Sequence, residues 1–587
     1  MTLLQQTKGA LVAVARERAA SDARSLSHAI FRLADETPDR ICLRFVGKWS
    51  TDIERAITCR ELEVCAGRVA ASLRADEVQP GHTVGMIISD ALQFLSCFFG
   101  IVLAGGIAVP LPPTHALGRK REWQALVAQA RREVGFGHII ADEARQPMLS
   151  EIADASALIM LNPSELNRPG LSWSRTSSRD TDGPVLIQYT PGSCGGHKGV
   201  LHHHSNLMAN VRGVMQSHML TFGSVTVSWV PLHHDYGLIA TLLPNLLAGG
   251  EVIVMAPMTF ATKPARLLEA ASRYHAHNIT GTSATYRWIV DRMTDGADRG
   301  LNLSALRCCS ICAESIDADA IDAFVERFAD LGVRRKRFVP AYGLAEFTVA
   351  ATSASVGEGA FFETFDADRL SEGIAEIHVN RARPSYTLVS SGRPIPGHAV
   401  IIVDDDRVAV GHGQVGEVAL CGPSLMAGYV GEASSMTSVS EGWLYTGDVG
   451  FLWQDELFVL GRAAEMIRIG DRIWFPHLLE SLAETPGNSS QARAAAFADG
   501  DDRVRLIVED EAIPVRTDES NRDEKVGVGV SVERRVSLRR RLGAVLGDIA
   551  FDVTWVALNG LPRTTSGKVQ RLLCKQQYEA GQLGFYV

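Results

Sequence analysis

The sequence carries no excess of positive charge. Its 58 Lys and Arg stand against 67 Asp and Glu, for a formal net charge of −9 over 587 residues. That balance removes any general electrostatic drive toward nucleic acid. A second cysteine pair is also missing. The ten cysteines are scattered, and the lone C-x-x-C of Cys309 and Cys312, preceded by Cys308, has no second pair or histidines at ligand spacing. This argues against a structural zinc site and for buried free thiols in a reducing compartment. For His202, His203, His204, His233 and His234 no carboxylate or cysteine completes a ligand set at the usual spacing, so they read as loop and pocket histidines. No leader is evident: Ala10–Ala15 is short, and Arg16, Arg18 and Asp22 follow it. Nor is there a long unbroken apolar run. Phe94–Leu111 is interrupted by Gly100, Gly105, Gly106 and Pro110, which predicts a buried helix running into a strand. A cytoplasmic protein without a membrane span is expected. No internal repeat is present.

What is there is an ample core, with 46% hydrophobic residues. Helical spacing covers Ser25–Ala34, Arg60–Leu73, Arg119–Val134 and Pro264–His275. Short apolar runs at Thr83–Ile88, Gly137–Ala141, Ala157–Leu161, Val185–Tyr189, Ser224–Val230 and Glu251–Val254 lie among them. Alternation of this kind predicts mainly parallel sheets covered on both faces. Pro163–Asp182 is polar and reads as a surface loop. Leu388–Val430 changes to short β runs separated by glycine, a small twisted sheet or distorted barrel. The remainder is mixed α and β, with a charged loop at Thr517–Lys525 and a basic stretch, Arg534, Arg535 and Arg539–Arg541, that reads as a solvated helix face.

The segment Tyr189-Thr-Pro-Gly-Ser-Cys-Gly-Gly-His-Lys-Gly-Val200 follows a predicted strand. Glycines let backbone N–H groups approach an anion, and Thr190, Ser193 and Lys198 add donors for phosphate oxygens. It is not a Walker A loop, because Lys198 is followed by Gly199. By itself it is equally a flexible turn.

The segment resembles the phosphate loop of the acyl-adenylate-forming superfamily, [YF]-T-S-G-[ST]-T-G-x-P-K-G. Further segments match in the family's order: Trp229-Val-Pro-Leu-His-His-Asp235, Tyr342-Gly-Leu-Ala-Glu346, Tyr445-Thr-Gly-Asp448, Gly461-Arg462 and Leu561-Pro-Arg-Thr-Thr-Ser-Gly-Lys568. The resemblance runs from about Leu26 to Leu583. Within the superfamily the chain is most similar to the fatty acyl-AMP ligases, through His233-His-Asp-Tyr-Gly-Leu238, Tyr342–Thr348, and Phe361–Pro394, which sits where those ligases carry an insertion that hinders coenzyme A use.

The resemblance implies an α/β fold: a large N-terminal domain, residues 1–462, of two αβαβα-type sheet subdomains plus a distorted β-barrel at about 388–462, and a small mobile α+β C-terminal domain, residues 463–587. It implies activation of a carboxylic acid, fatty by the subfamily, to acyl-adenylate with release of pyrophosphate. Transfer to the phosphopantetheine thiol of an acyl carrier protein follows, after the C-terminal domain swings about a hinge near Glu465. Thr190, Ser193, Gly195, Lys198 and Gly199 would hold the ATP phosphates. Ala313, Glu314, Tyr342 and Gly343 would line the adenine site, with Tyr342 stacking on the base. Asp448 would bind the ribose hydroxyls and Arg462 would fix that end. Glu346 would coordinate Mg²⁺. His234, Asp235 and Tyr236 would flank the acyl group. Lys568 would stabilise charge building on the α-phosphate during attack. The attacking carboxylate is already an anion at neutral pH, so no general base is needed.

The chain departs from the pattern at Pro191, Cys194 and His197 in the loop, at Cys312, at Ala464-Glu465 where Lys-Asp is usual, and at Asp471. These departures bear on ATP binding and on the acceptor step. The alternatives are an acyl-CoA synthetase and, in another class, a non-catalytic scaffold on the same fold.

Overall fold

A computed structural model of the chain describes residues 25–46, 55–113, 120–152, 158–168, 171, 173–175, 182–191, 197–294, 296–380, 382–431, 438–483, 494–510, 513, 532–563 and 569–583. Ser193, Gly195, Lys568 and the Thr517–Lys525 loop lie outside the described residues.

The long apolar run resolves as expected. It forms a helix, Ala91–Leu103, that leads into the strand Ile107–Pro110. Asp90 caps the helix by accepting from the N–H groups of Leu92 and Gln93. The helix is apolar nearly all round and is buried against Cys59–Ala75, which starts on a capping box of Thr58 and Glu61. Gly100 permits that contact: a Cβ there would come within 2.4 Å of Val69 Cγ1. Among the described residues no helix is long and apolar enough to cross a membrane.

Two large sheets form the first part of the chain. One has seven strands in the order Gly428–Tyr429, His197–His203, Pro184–Pro191, Ile107–Pro110, Thr83–Ile87, His138–Ala141 and Ile159–Leu161. Its last five strands are parallel, and its first three pair antiparallel. The other has nine strands, with a parallel centre running Phe338–Tyr342, Cys308–Ile311, Asn278–Gly281, Val225–Ser228, Glu251–Met255 and Ile41–Val46. Parallel strands need covered faces, and the helices supply them. Cys308 and Cys309 are simply core residues of a central strand.

The glycine-punctuated region forms an antiparallel sheet of five strands: Ala399–Val403, Gly416–Cys421, Trp443–Trp453, Val439–Ser440 and Glu456–Arg462. Its strands do not close into a barrel. Phe362–Asp366 and Ser385–Val389 make a separate two-stranded ribbon.

Beyond Arg462 the chain builds a core of its own. Strands Ala494–Ala498, Arg503–Asp510 and Ala550–Ala557 form a mixed sheet, with helices Pro476–Ser481, Val532–Leu546 and Arg571–Glu579. The basic stretch is a helix face: Arg539 and Arg540 are exposed, while Arg534 pairs with Asp510 and lies over the Trp555 ring. In the expected polar loop, Arg175 pairs with Asp35 and Glu63, both at 2.6 Å.

Candidate active site

The expected phosphate loop begins and ends on two paired strands. Strands Pro184–Pro191 and His197–His203 pair antiparallel, with Thr190 opposite Lys198 and Tyr189 opposite Gly199. Gly199 is required by its surroundings, since a Cβ there would meet Val430 Cγ2 at 2.4 Å. The loop end of this strand pair is held from the helix Lys120–Val134. Tyr189 donates its hydroxyl hydrogen to Glu133 at 2.8 Å, and Gln129 Nε2 lies 2.9 Å from both Glu133 Oε1 and the His197 carbonyl.

Beside the strand pair runs Gly428–Tyr429, which pairs with Val200 and Leu201. Lys198 Nζ stands 5.2 Å from the centre of the Tyr429 ring. The Tyr429 hydroxyl donates to Glu346 Oε1 at 2.8 Å. Glu346 itself sits in the tight turn Ala345–Phe347 that follows strand Phe338–Tyr342. Asn210 pins that turn by donating to the carbonyls of Phe347 at 3.2 Å and Ala350 at 2.8 Å and by accepting from the Ala350 N–H. Thr348 adopts φ 67° there, and its hydroxyl donates to the Ser424 carbonyl. Such a left-handed residue persists only where its surroundings over-determine it. Gly343 admits no side chain, because a Cβ would lie 1.6 Å from the Val349 carbonyl oxygen.

A second cluster faces the first. Tyr342 donates to Asp448 Oδ2 at 2.6 Å, and Arg462 Nε reaches Asp448 Oδ1 at 3.0 Å. Thr446 orients both, its hydroxyl accepting from the Asp448 N–H and its carbonyl accepting from Arg462 Nη1. Burial and the neighbouring Asp448 carboxylate push the Tyr342 phenol well above its ordinary range. Burial opposes the Arg462 charge, but Asp448, Tyr342, Glu346 and Glu465 outweigh it and hold the guanidinium protonated. Asp448 and Arg462 are opposed across adjacent strands, which is why two residues fourteen apart meet.

The residues expected around the acyl group lie on the same wall. His234 Nδ1 is 2.6 Å from Asp235 Oδ1, and Asp235 also accepts from the Tyr236 N–H at 2.7 Å. The Tyr236 ring is buried, and its hydroxyl donates toward the Gly281 carbonyl at 3.1 Å while accepting from the Gly281 N–H at 3.2 Å. Tyr236 thus ties the wall to strand Asn278–Gly281. Glu314 accepts from the Ala284 N–H at 2.7 Å, at the start of helix Ser283–Arg292. Ala313 beside it has φ 71°. His202 is fully buried, and its imidazole is pushed down to about 4 by desolvation.

Lys198, Tyr429, Glu346, Tyr342, Asp448 and Arg462 line one cleft of about 3260 Å³, together with His234, Asp235 and Tyr236. Trp229, Met255, Pro257 and Trp288 give it an apolar wall, and Trp229 stacks on Phe260 with ring centres 4.3 Å apart. From the C-terminal side Leu561, Pro562, Val569 and Gln570 line it too. Lys568 is not described, but the residues flanking its segment are: Arg563 and Val569 form an antiparallel bridge, and Gln570 N–H donates to the Pro562 carbonyl at 2.9 Å. Among the described residues no group of three or more His, Cys, Asp or Glu is placed to hold a metal. The sequence reading passes over Tyr429 and Asn210 and assigns no role to Thr446 within the Tyr445–Asp448 segment. Tyr429 and Asn210 are brought in by strand pairing or a turn contact between distant segments, and Tyr429 carried only a weak signal, a Gly-Tyr pair in a glycine-rich stretch.

The AMP-binding enzyme family matches residues 30–430, and the chain belongs to it. The activity is acyl-adenylate formation by a ligase of the fatty acyl-AMP ligase kind, with ATP as co-substrate. The chain is similar to the medium-chain-fatty-acid–[acyl-carrier-protein] ligase JamA of Moorena producens, 29% identical over 553 residues and covering 90% of each chain. It is 27% identical over 591 residues to the 4-hydroxyphenylalkanoate adenylyltransferase of Mycobacterium tuberculosis, covering 94% of this chain and 91% of the other. A solved structure from a study of fatty acyl-adenylate ligases of E. coli and L. pneumophila superposes with TM-score 0.83 at 26% identity, over 95% of this chain and 98% of the other.

Proposed function

We propose that the chain activates a fatty acid as its adenylate and hands the acyl group to the phosphopantetheine thiol of an acyl carrier protein. The observation that carries the first half is the pair of facing clusters in one cleft, Tyr342–Asp448–Arg462 and Lys198–Tyr429–Glu346. In this reading Asp448 accepts the ribose hydroxyls, with Arg462 and Tyr342 fixing its carboxylate and Thr446 holding its backbone N–H. The Tyr342 ring lies against adenine, and Ala313, Glu314 and Gly343 border it. Thr190, Ser193, Gly195, Lys198 and Gly199 hold the phosphates.

Glu346 is oriented by Tyr429 and fits a Mg²⁺ site of the sparse kind, one carboxylate with the rest of the shell from phosphate and water. The ion, when bound, would screen phosphate charge. The substrate carboxylate enters along His234 and Asp235, and its chain lies on the apolar wall of Trp229, Met255 and Trp288. As it attacks the α-phosphate, pyrophosphate leaves and negative charge builds; the Lys568 ammonium stabilises it, most strongly once the C-terminal unit, residues 463–587, has excluded water. That unit then turns about Glu465 for the transfer step. The carrier as acceptor is supported by the likeness to JamA, named for that acceptor, and a cytoplasmic setting accords with the buried thiols of Cys42, Cys97, Cys308, Cys309 and Cys574.

Incubation with ATP, a panel of saturated fatty acids and either holo-carrier protein or coenzyme A, read by mass spectrometry, tests the reading. Acylated carrier with little acyl-CoA is expected; rapid acyl-CoA formation would overturn the acceptor.

A further inference from the structure

Arg571 opens the helix Arg571–Glu579, three positions after Lys568. Its guanidinium is used on all three nitrogens. Nε and Nη2 donate to the two oxygens of Glu480, each at 2.7 Å, and Nη1 donates to Glu465 Oε2 at 2.8 Å. Glu480 is in turn fixed, because Oε1 also accepts from the Ala496 N–H in the first strand of the C-terminal sheet. Glu465 ends the turn Ala463–Glu465, directly after Arg462. The three side chains are only 23%, 22% and 12% exposed. A forked, largely shielded pair of this kind is held far more rigidly than a surface ion pair.

On either side of Lys568 in the sequence, Arg563 and Val569 form an antiparallel bridge and the Gln570 N–H donates to the Pro562 carbonyl. The Leu561 N–H, which donates to Glu509 at 3.0 Å, ties this pair to the sheet. Arg571 follows Gln570 directly. Glu480 anchors it to the C-terminal unit, and Glu465 anchors it to the pivot. This gives a physical account of the departure at Ala464-Glu465. Glutamate is one methylene longer than the usual aspartate, and its carboxylate reaches Arg571.

We infer that Arg571 is a positioning residue for adenylation, and that the Glu465 carboxylate sets the distance between pivot and lysine segment through it. The inference rests on the reading of Lys568 above. A displacement of about 1 Å from productive geometry can cost on the order of a hundredfold in rate.

The test is Glu465→Ala, which cuts the pivot end and leaves the Arg571–Glu480 fork intact. Steady-state pyrophosphate exchange, KM for ATP and for the acid, and the unfolding midpoint are measured beside Lys568→Ala and Glu465→Gln. Glu465→Ala should lower kcat about tenfold or more, with both KM values within about twofold and the midpoint nearly unmoved, as for an interaction needed only in the transition state. Glu465→Gln, which keeps a neutral acceptor for the guanidinium, should fall between. An unchanged kcat in Glu465→Ala beside a collapse in Lys568→Ala overturns the inference and leaves the reading of Lys568 standing. Loss of kcat, KM and midpoint together, without recovery in Glu465→Gln, marks a purely structural pair and overturns it as well. Full exchange in Lys568→Ala overturns both.

Discussion

Tyr342 and Asp448 are joined by a 2.6 Å hydrogen bond between a strand end of the nine-stranded sheet and the long strand of the five-stranded sheet. The bond fixes a carboxylate that is only 6% exposed, and Arg462 balances its charge. A ligand that offers two hydroxyls and a flat ring fits that arrangement.

Asp448→Asn keeps the shape and removes the charge. Charge-assisted hydrogen bonds contribute about 1.5–3 kcal/mol, so kcat/KM for ATP should drop by one to two orders of magnitude. Tyr342→Phe leaves the Arg462 contact in place and should cost less. Steady-state kinetics at varied ATP checks both; equal losses would show that Asp448 is not oriented through the pair with Arg462.

Gly343→Ala would force a methyl group to within 1.6 Å of the Val349 carbonyl oxygen. The turn that presents Glu346 must shift. Overpacking of this kind costs about 1–3 kcal/mol, so the unfolding midpoint should fall and activity with it. A wild-type midpoint by differential scanning fluorimetry would contradict the geometry.

Tyr429→Phe removes the hydrogen bond that the Tyr429 hydroxyl donates to the Glu346 carboxylate and leaves the ring under Lys198. The expected outcome is a rise of about tenfold or more in the Mg²⁺ concentration giving half-maximal rate, because the hydroxyl that orients the carboxylate is gone. Glu346→Gln should do more. Rates measured across a magnesium titration separate the two; an unaltered midpoint in both variants would remove Glu346 from the metal.

His202 supplies a pH prediction. Its folded value, about 4, lies below the ordinary histidine value because burial disfavours the cation. Between about pH 6.5 and 4 the unfolded chain therefore binds a proton that the folded chain does not, so stability rises with pH through that window and is lost as pH falls through it. Thermal midpoints taken from pH 7 to 4 should decline, and His202→Val should flatten the decline. An identical slope in the variant would assign the acid sensitivity elsewhere.

Much of the frame is legible in local pattern. The glycines in Phe94–Leu111 mark both the end of a helix and its contact with Val69, and the apolar runs fall on the parallel strands. The return strand His197–His203 is not legible, because its His202-His203 end does not look like a strand; pairing with Pro184–Pro191 overrides that propensity. Tyr429 meets Lys198 only through an added edge strand, and Glu465 meets Arg571 across 106 positions. Spacing cannot report contacts that exist only after the sheets have assembled. The open form of the five-stranded sheet is of the same kind, since closure depends on strand pairing and not on the glycine pattern.

Fatty-acid-dependent exchange of labelled pyrophosphate into ATP tests the central claim most directly. Adenylate formation is reversible at that step, so label should enter ATP only when a suitable acid is present, and the rate should collapse in Lys568→Ala and Asp448→Asn. Absence of exchange with every acid offered, or exchange indifferent to both substitutions, would contradict the account.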